Sequence, residues 1–189
     1  MTRMHDLRII GGQFRGRKIK HPETVTVRPT KDRIREAVFN MIAEHVPGAS
    51  VLDLFAGSGA FGLESLSRGA ERVVFVEQDS SCSSVLAGNI SSLEVEAQTA
   101  IIRKDAFKSI ELLNEDKEGF DLIFSDPPYN MGMAKKTLIM INHYDILNPS
   151  GLLIIEHHRR EEISDLSGNV SLCKQKTYKD ISISVFRKK

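Results

Sequence analysis

The chain has 189 residues, of which 41% are hydrophobic and 27% charged, with a net charge of +1; this suits one α/β domain plus a small appendage. No apolar run approaches the ~18 residues of a membrane span, the first residues lack the apolar stretch of a signal peptide, and two cysteines in no ligand spacing, Cys82 and Cys173, exclude a disulfide framework, so a cytoplasmic protein without a metal is expected. The charge is unevenly spread: residues 1–35 carry ten basic side chains, among them Arg8, Arg15, Arg17, Lys18, Lys20, Arg28 and Arg33, against three acidic ones, which predicts a basic arm facing a polyanion and an acidic body.

Residues 7–20 read as a short β-hairpin, with Leu7, Ile9 and Ile19 on one side, the basic residues on the other, and Gly11, Gly12 and Gly16 available for the turn. A loop over 21–29 leads to Thr30, which resembles a helix N-cap; Ile34, Ala37, Val38, Met41 and Ile42 follow at helical spacing, and Pro47-Gly48 closes the segment. The appendage is thus expected over residues 1–48 and the main domain over 49–189. From Ser50 the signals alternate. Strands are predicted at 51–55, 72–77, 99–103, 120–125 and 152–156, and helices at 60–68, 80–93, 106–113 and 134–142. Two closing strands, 170–173 and 181–186, have little helix between them. In the last one Ile181, Ile183 and Val185 alternate with Ser182, Ser184 and Phe186, which predicts one less buried face. Repeated βα units imply a mostly parallel sheet with helices on both faces, and the closing hairpin makes the last strand antiparallel.

Asp53-Leu54-Phe55-Ala56-Gly57-Ser58-Gly59 joins the first strand of this series to its helix. Glycines let the backbone approach a ligand closely, and sites in such sheets form at the carboxyl ends of strands. Taken literally, Gly57 to Gly62 also satisfies the dinucleotide fingerprint, with Glu77 at the end of the second strand placed to grip ribose hydroxyls. A nicotinamide enzyme and a methyltransferase therefore both fit the turn. Three features favour the second. Asp53 would repel a pyrophosphate but meet the ammonium of S-adenosylmethionine. Asp105-Ala106 follows the third strand, where Asp105 can accept from an adenine amine. Asp126-Pro127-Pro128-Tyr129 ends the fourth strand.

That tetrapeptide suits methyl transfer to a nucleobase nitrogen. An exocyclic amine is a poor nucleophile because its lone pair is delocalised into the ring. Asp126 and the Pro127 carbonyl can each accept one of its hydrogens, Pro128 holds the intervening backbone extended, and Tyr129 can stack on the base. Catalysis would come mainly from orientation and charge complementarity, on a base that has left its stack.

With these residues in place, the chain resembles the bacterial 16S rRNA guanine-N2 methyltransferases, the "D" family of the small subunit. The resemblance rests on Arg8-Ile9-Ile10-Gly11-Gly12, Arg15-Gly16-Arg17, Arg28-Pro29-Thr30 with Asp32-Arg33, Val51 to Gly59, Phe75-Val76-Glu77, Phe120-Asp121-Leu122 and Asp126 to Tyr129. It implies a class I, Rossmann-like sheet of seven strands, S-adenosylmethionine as donor, and a guanine N2 of rRNA as acceptor, on an assembled or assembling small ribosomal subunit. The implied donor site is Asp53, Phe55, Ala56, Gly57, Gly59, Glu77, Asp105 and Ala106. Thr30 and Arg28 are candidates to fold back over the cofactor, Arg28 alternatively meeting an RNA phosphate. The basic hairpin is expected on RNA and the protein as a monomer. Ser125, where many relatives are apolar, and the charged loop 114–119 depart from the pattern.

The rival readings are a DNA adenine-N6 or cytosine-N4 methyltransferase, which uses a similar tetrapeptide but usually needs a larger recognition region, and a non-catalytic ribosome-assembly RNA-binding protein. His157 and His158 are expected in a loop near the RNA face, Tyr178 is expected to brace the last hairpin, and both cysteines are expected to be buried.

Overall fold

The computed structural model describes residues 7–21, 29–129, 131–163 and 168–189. β1 (Leu7–Arg8) and β2 (Lys18–Ile19) form the predicted antiparallel hairpin, with Leu7 opposite Ile19, and α1 (Pro29–Met41) follows. Beyond these run β3 (Ser50–Asp53), α2 (Ala60–Ser67), β4 (Arg72–Val76), α3 (Ser80–Leu93), β5 (Thr99–Ile102), α4 (Ala106–Glu115), β6 (Phe120–Ser125), α5 (Met133–His143), β7 (Leu147–His158), β8 (Val170–Tyr178) and β9 (Ile181–Lys188). The seven strands from β3 onward form one sheet in the order β5-β4-β3-β6-β7-β9-β8. β9 is antiparallel to both neighbours, and the pairings among β3 to β7 are parallel. This is the expected mostly parallel sheet with an antiparallel last strand. Among the described residues no helix is long and apolar enough to cross a membrane.

The apolar run of each central strand divides between two cores, because successive side chains point to opposite faces. Val51, Phe75, Leu122, Phe124 and Ile154 pack with α1, α2 and α3. Leu52, Val74, Val76, Ile123 and Ile155 pack with α4 and α5. The hairpin joins the first core through Leu7, Ile9 and Ile19, all buried. α1 is tied to the sheet by Phe39, whose ring lies 5.7 Å from that of Phe124 and 6.3 Å from that of Phe61.

A buried acid fastens the hairpin to the helix that follows the glycine turn. Glu64 of α2 has no exposed surface. Its Oε2 accepts from the Ile10 amide at 2.7 Å and its Oε1 from the Gly11 amide at 2.8 Å. Arg68 Nε donates to Oε1 at 2.7 Å, and Arg35 Nε stands 3.8 Å from Oε2. Arg35 also donates to the carbonyl of Arg8. Ser67 continues the seam, its carbonyl accepting from the Gln13 amide at 2.7 Å and its Oγ from the Phe14 amide at 2.9 Å. Gly12 is required here: its φ is +74°, and a Cβ would meet the Ser67 carbonyl oxygen at 1.7 Å. On α3, Asn89 exchanges two hydrogen bonds with the backbone of Lys20, at 2.8 and 2.9 Å.

Several expectations need correction. α1 begins at Pro29, so Thr30 lies inside the first turn; proline suits the first helical position because its missing N–H would be unpaired there anyway. β7 is longer than the apolar run, because pairing with β9 carries it through His158. His157 is therefore no loop residue. It is buried, with Nε2 2.9 Å from Ser184 Oγ and Nδ1 3.1 Å from the His158 carbonyl, and burial is the main cause holding its pKa below the ordinary imidazole value. β9 is buried on both faces despite its serines, since it lies between β7 and β8. Ser184 Oγ also accepts from Gln175 at 2.9 Å, and Ser182 Oγ lies 2.9 Å from Thr177 Oγ1. The outer strand β8 is mostly exposed and carries Lys174 and Lys176, charges that discourage further strand pairing. Cys173 on that edge is exposed and Cys82 only half-buried.

Candidate active site

The strand order reverses at β3: the chain first adds β4 and β5 on one side, then β6 and β7 on the other. Ligand crevices form outside the carboxyl ends of strands at such a point, and a cavity of about 490 Å³ lies there. Each of the four neighbouring strands β4, β3, β6 and β7 delivers one carboxylate to it. They are Glu77 just after β4, Asp53 at the end of β3, Asp126 just after β6, and Glu156 near the end of β7. By register Asp53 lies opposite both Phe75 and Phe124, two residues before Glu77 and Asp126, and Ser125 lies opposite Ile155, one residue before Asp126 and Glu156.

Asp53 is the most buried of the four at 3% exposure. Its Oδ2 accepts from the Gly62 amide at 3.1 Å. Burial pushes its pKa up to about 7, the Gly62 hydrogen bond opposes that, and the charges of Asp126 and Glu77 add to it. Glu77 holds the glycine turn in shape: Oε2 accepts from the Gly57 amide and Oε1 from the Asp79 amide, both at 2.8 Å. Gly59 is the N-cap of α2 at φ +85°, and a Cβ there would meet Leu86 at 2.4 Å; its role is to turn the chain into the helix.

Phe55, Ala56, Gly57, Ala106 and all of Asp126, Pro127, Pro128 and Tyr129 line the cavity with Asp53 and Glu77. Gly59 and Asp105 are not among its lining residues. Asp105 caps α4 instead, its Oδ1 accepting from the Phe107 amide at 3.0 Å and the Lys108 amide at 3.1 Å. Arg28 and the Thr30 side chain lie outside the described residues. Arg8, Arg15, Arg17, Lys18, Lys20 and Arg33 are all exposed. The hairpin that carries most of them stands beside the cavity, because Leu7 and His21 at its two ends both line it.

Arg35 and Glu156 are among the cavity-lining residues that escaped the sequence reading. Arg35, counted there with the basic arm, is only 2% exposed and lines the cavity. Its spacing was the missed signal, since Ile34, Arg35, Val38, Phe39 and Ile42 form one buried helical stripe. Glu156, 5% exposed, accepts a hydrogen bond from the Tyr129 hydroxyl. An acid ending the apolar run of a strand that neighbours the Asp126 strand was the cue for it.

Four carboxylates against the basic side chains of Arg35 and Lys104 leave the cavity acidic on balance, which suits a cationic ligand. A nicotinamide dinucleotide fits poorly: the Gly57 amide, which a pyrophosphate would need, is already given to Glu77. An ammonium beside Asp53 would relieve the cost of ionising that buried acid, so the residues present fit S-adenosylmethionine.

The family described as Conserved hypothetical protein 95 matches residues 7–187. Ribosomal RNA small subunit methyltransferase D of Escherichia coli (strain K12) is 32% identical, covering 96% of this chain and 90% of that protein. The protein of the same name from Haemophilus influenzae is 30% identical over 96% of this chain and 94% of its own length. The solved structure of yhhF from Escherichia coli superposes with a TM-score of 0.85 at 30% identity, covering 98% of this chain and 99% of that one.

Proposed function

Because this chain belongs to the Conserved hypothetical protein 95 family, we propose that it is a methyltransferase that uses S-adenosylmethionine to methylate ribosomal RNA, at the exocyclic N2 of a guanine in the 16S rRNA of an assembled or assembling small subunit. The observation that carries this reading is the shared cavity: the Asp126–Tyr129 turn and the buried Asp53 open into one space, with an exposed basic hairpin at its edge.

When bound, S-adenosylmethionine supplies an electrophilic methyl on a sulfonium. Asp53 holds the donor's ammonium, and Glu77 takes a ribose hydroxyl on the acceptor capacity left by Gly57 and Asp79. Ala106 flanks the adenine. Asp126 and the Pro127 carbonyl accept from the two hydrogens of the guanine amine, which turns the nitrogen lone pair toward the methyl. Asp126 is also placed to take the proton that the amine loses. Tyr129 stacks on the base. Arg8, Arg15, Arg17, Lys18, Lys20 and Arg33, with Arg28 as a further candidate, meet RNA phosphates.

The test is labelled-methyl incorporation with naked rRNA, small-subunit particles and DNA offered separately. Incorporation into small-subunit rRNA supports the reading, and incorporation into DNA alone overturns it. Replacing Arg15, Arg17 and Lys18 together by alanine weakens RNA binding and flattens its salt dependence, by up to about 0.7 in log–log slope per lost phosphate contact on single strands. A slope equal to that of the unaltered protein removes these residues from the interface.

Asp53 gives the donor site a pH dependence. Its folded pKa, about 7, stands above the ordinary aspartate value of 3.8. Its stabilising contribution to the ligand-free fold is therefore full below about pH 4 and is lost as pH rises through about 7. Donor binding has the opposite sign, because the ammonium needs the ionised carboxylate. Affinity for S-adenosylmethionine should fall about fivefold between pH 7.5 and pH 6, and it should also decline above about pH 8 as the donor's own α-amino group loses its proton. Calorimetric titration over this range measures it, and Asp53→Asn should weaken binding and flatten the profile. A flat profile in the unaltered protein removes the contact.

A further inference from the structure

The Asp-Pro-Pro-Tyr turn does not by itself choose a base. Two acceptors aimed at an amine serve guanine N2, adenine N6 or cytosine N4 equally well. The atom beside the amine differs, however. In guanine the neighbouring N1 carries a hydrogen, whereas in adenine N1 and in cytosine N3 the neighbour is a lone pair. A reader of that position would distinguish guanine from the other two.

Resting on the reading of this cavity as an rRNA guanine site, we infer that Glu156 is the specificity-determining residue, its carboxylate accepting from guanine N1–H while Asp126 engages the adjacent amine. Three observations carry this. Parallel pairing of Ser125 with Ile155 brings the residues that follow them, Asp126 and Glu156, to the carboxyl ends of adjacent strands, from which both side chains can converge on one base edge. Both line the cavity, as does Tyr129. Glu156 is 5% exposed and accepts from the Tyr129 hydroxyl, which fixes the carboxylate and the stacking ring relative to each other. A carboxylate has about four acceptor directions and can serve a hydroxyl and a base edge together. Against adenine or cytosine the same oxygen, on a side chain only 5% exposed, would face a lone pair, and a buried unpaired acceptor is a strong ground for rejection.

The experiment compares guanine with 2,6-diaminopurine, which keeps the 2-amino group but has a lone pair at N1. Mass spectrometry of the product first locates the modified guanine; ligated rRNA carrying either purine at that position is then assembled into small-subunit particles. The unaltered protein should methylate guanine at least about 100-fold faster than diaminopurine. Glu156→Gln, whose amide can donate to the N1 lone pair, should narrow that ratio to under about fivefold. Tyr129→Phe should slow both purines and leave the ratio unchanged. Equal rates on both purines in the unaltered protein overturn the role of Glu156 without any variant. So does a Glu156→Gln protein that is slowed on both alike, since that is the signature of a mere anchor for Tyr129. Methylation of DNA alone, with neither rRNA accepted, overturns instead the guanine reading on which this rests.

Discussion

Asp126→Ala should lower methyl transfer by at least about 100-fold while leaving the donor bound. The magnitude follows from losing one oriented group aimed at charge that develops during the reaction. The selectivity follows from position: Asp126 stands after β6 beside Pro127 and Tyr129, whereas the carboxylate assigned to the donor, Asp53, ends β3. Asp126→Asn, which keeps an acceptor but no proton affinity, should fall between alanine and the unaltered protein. The charge of Asp126 also helps to raise the pKa of Asp53, so either variant should shift the midpoint of donor binding to lower pH. Single-turnover transfer and calorimetric donor titration on the same preparations give both quantities. Loss of donor binding in parallel with activity would place Asp126 in the donor site and contradict its assignment to the amine.

The second large effect concerns stability. Glu64→Ala should cost about 3–5 kcal/mol, the range for removing one partner of a buried charge cluster. Two backbone amides, Ile10 and Gly11, would lose their acceptor, and the buried Arg35 would lose an opposing charge. Burial already lowers the Arg35 pKa, held up by Asp32 and Glu64, and its Nε makes no hydrogen bond. Glu64→Gln keeps one good acceptor and should cost less. Urea unfolding gives the free energies, and amide exchange at Ile10 and Gly11 reports local release of the hairpin. A loss under about 1 kcal/mol for the alanine variant would show that the apolar seam of Leu7, Ile9 and Ile19 holds the hairpin without the acid. Because Glu64 sits on the helix that follows the glycine turn, loosening it should also weaken RNA affinity before it affects the chemistry of the Asp126 turn.

The βα alternation was legible residue by residue. Apolar runs of strand length, bounded by Gly and Asp at their carboxyl ends, placed β3 to β6 within about two residues, and α3 fell on its predicted bounds. The turn at Gly57, the acid at Glu77 and the Asp126–Tyr129 tetrapeptide, which line the cavity, were legible because their spacing fixes them at the carboxyl ends of parallel strands, whatever the loops do. Local sequence thus determined the strand ends and the two chemical turns.

Tertiary structure decided what strand neighbours and packing decide. β9 reads as half-exposed by its alternating serines, yet insertion between β7 and β8 buries both its faces and gives Ser182 and Ser184 polar partners. Arg35 reads as one more cation of the arm until α1 turns it toward Glu64, because no sequence separation reveals an ion pair between helices that pack across a core. Glu156 acquires its place beside Asp126 only from the parallel register of β6 and β7, which sets residues 30 apart in the chain side by side.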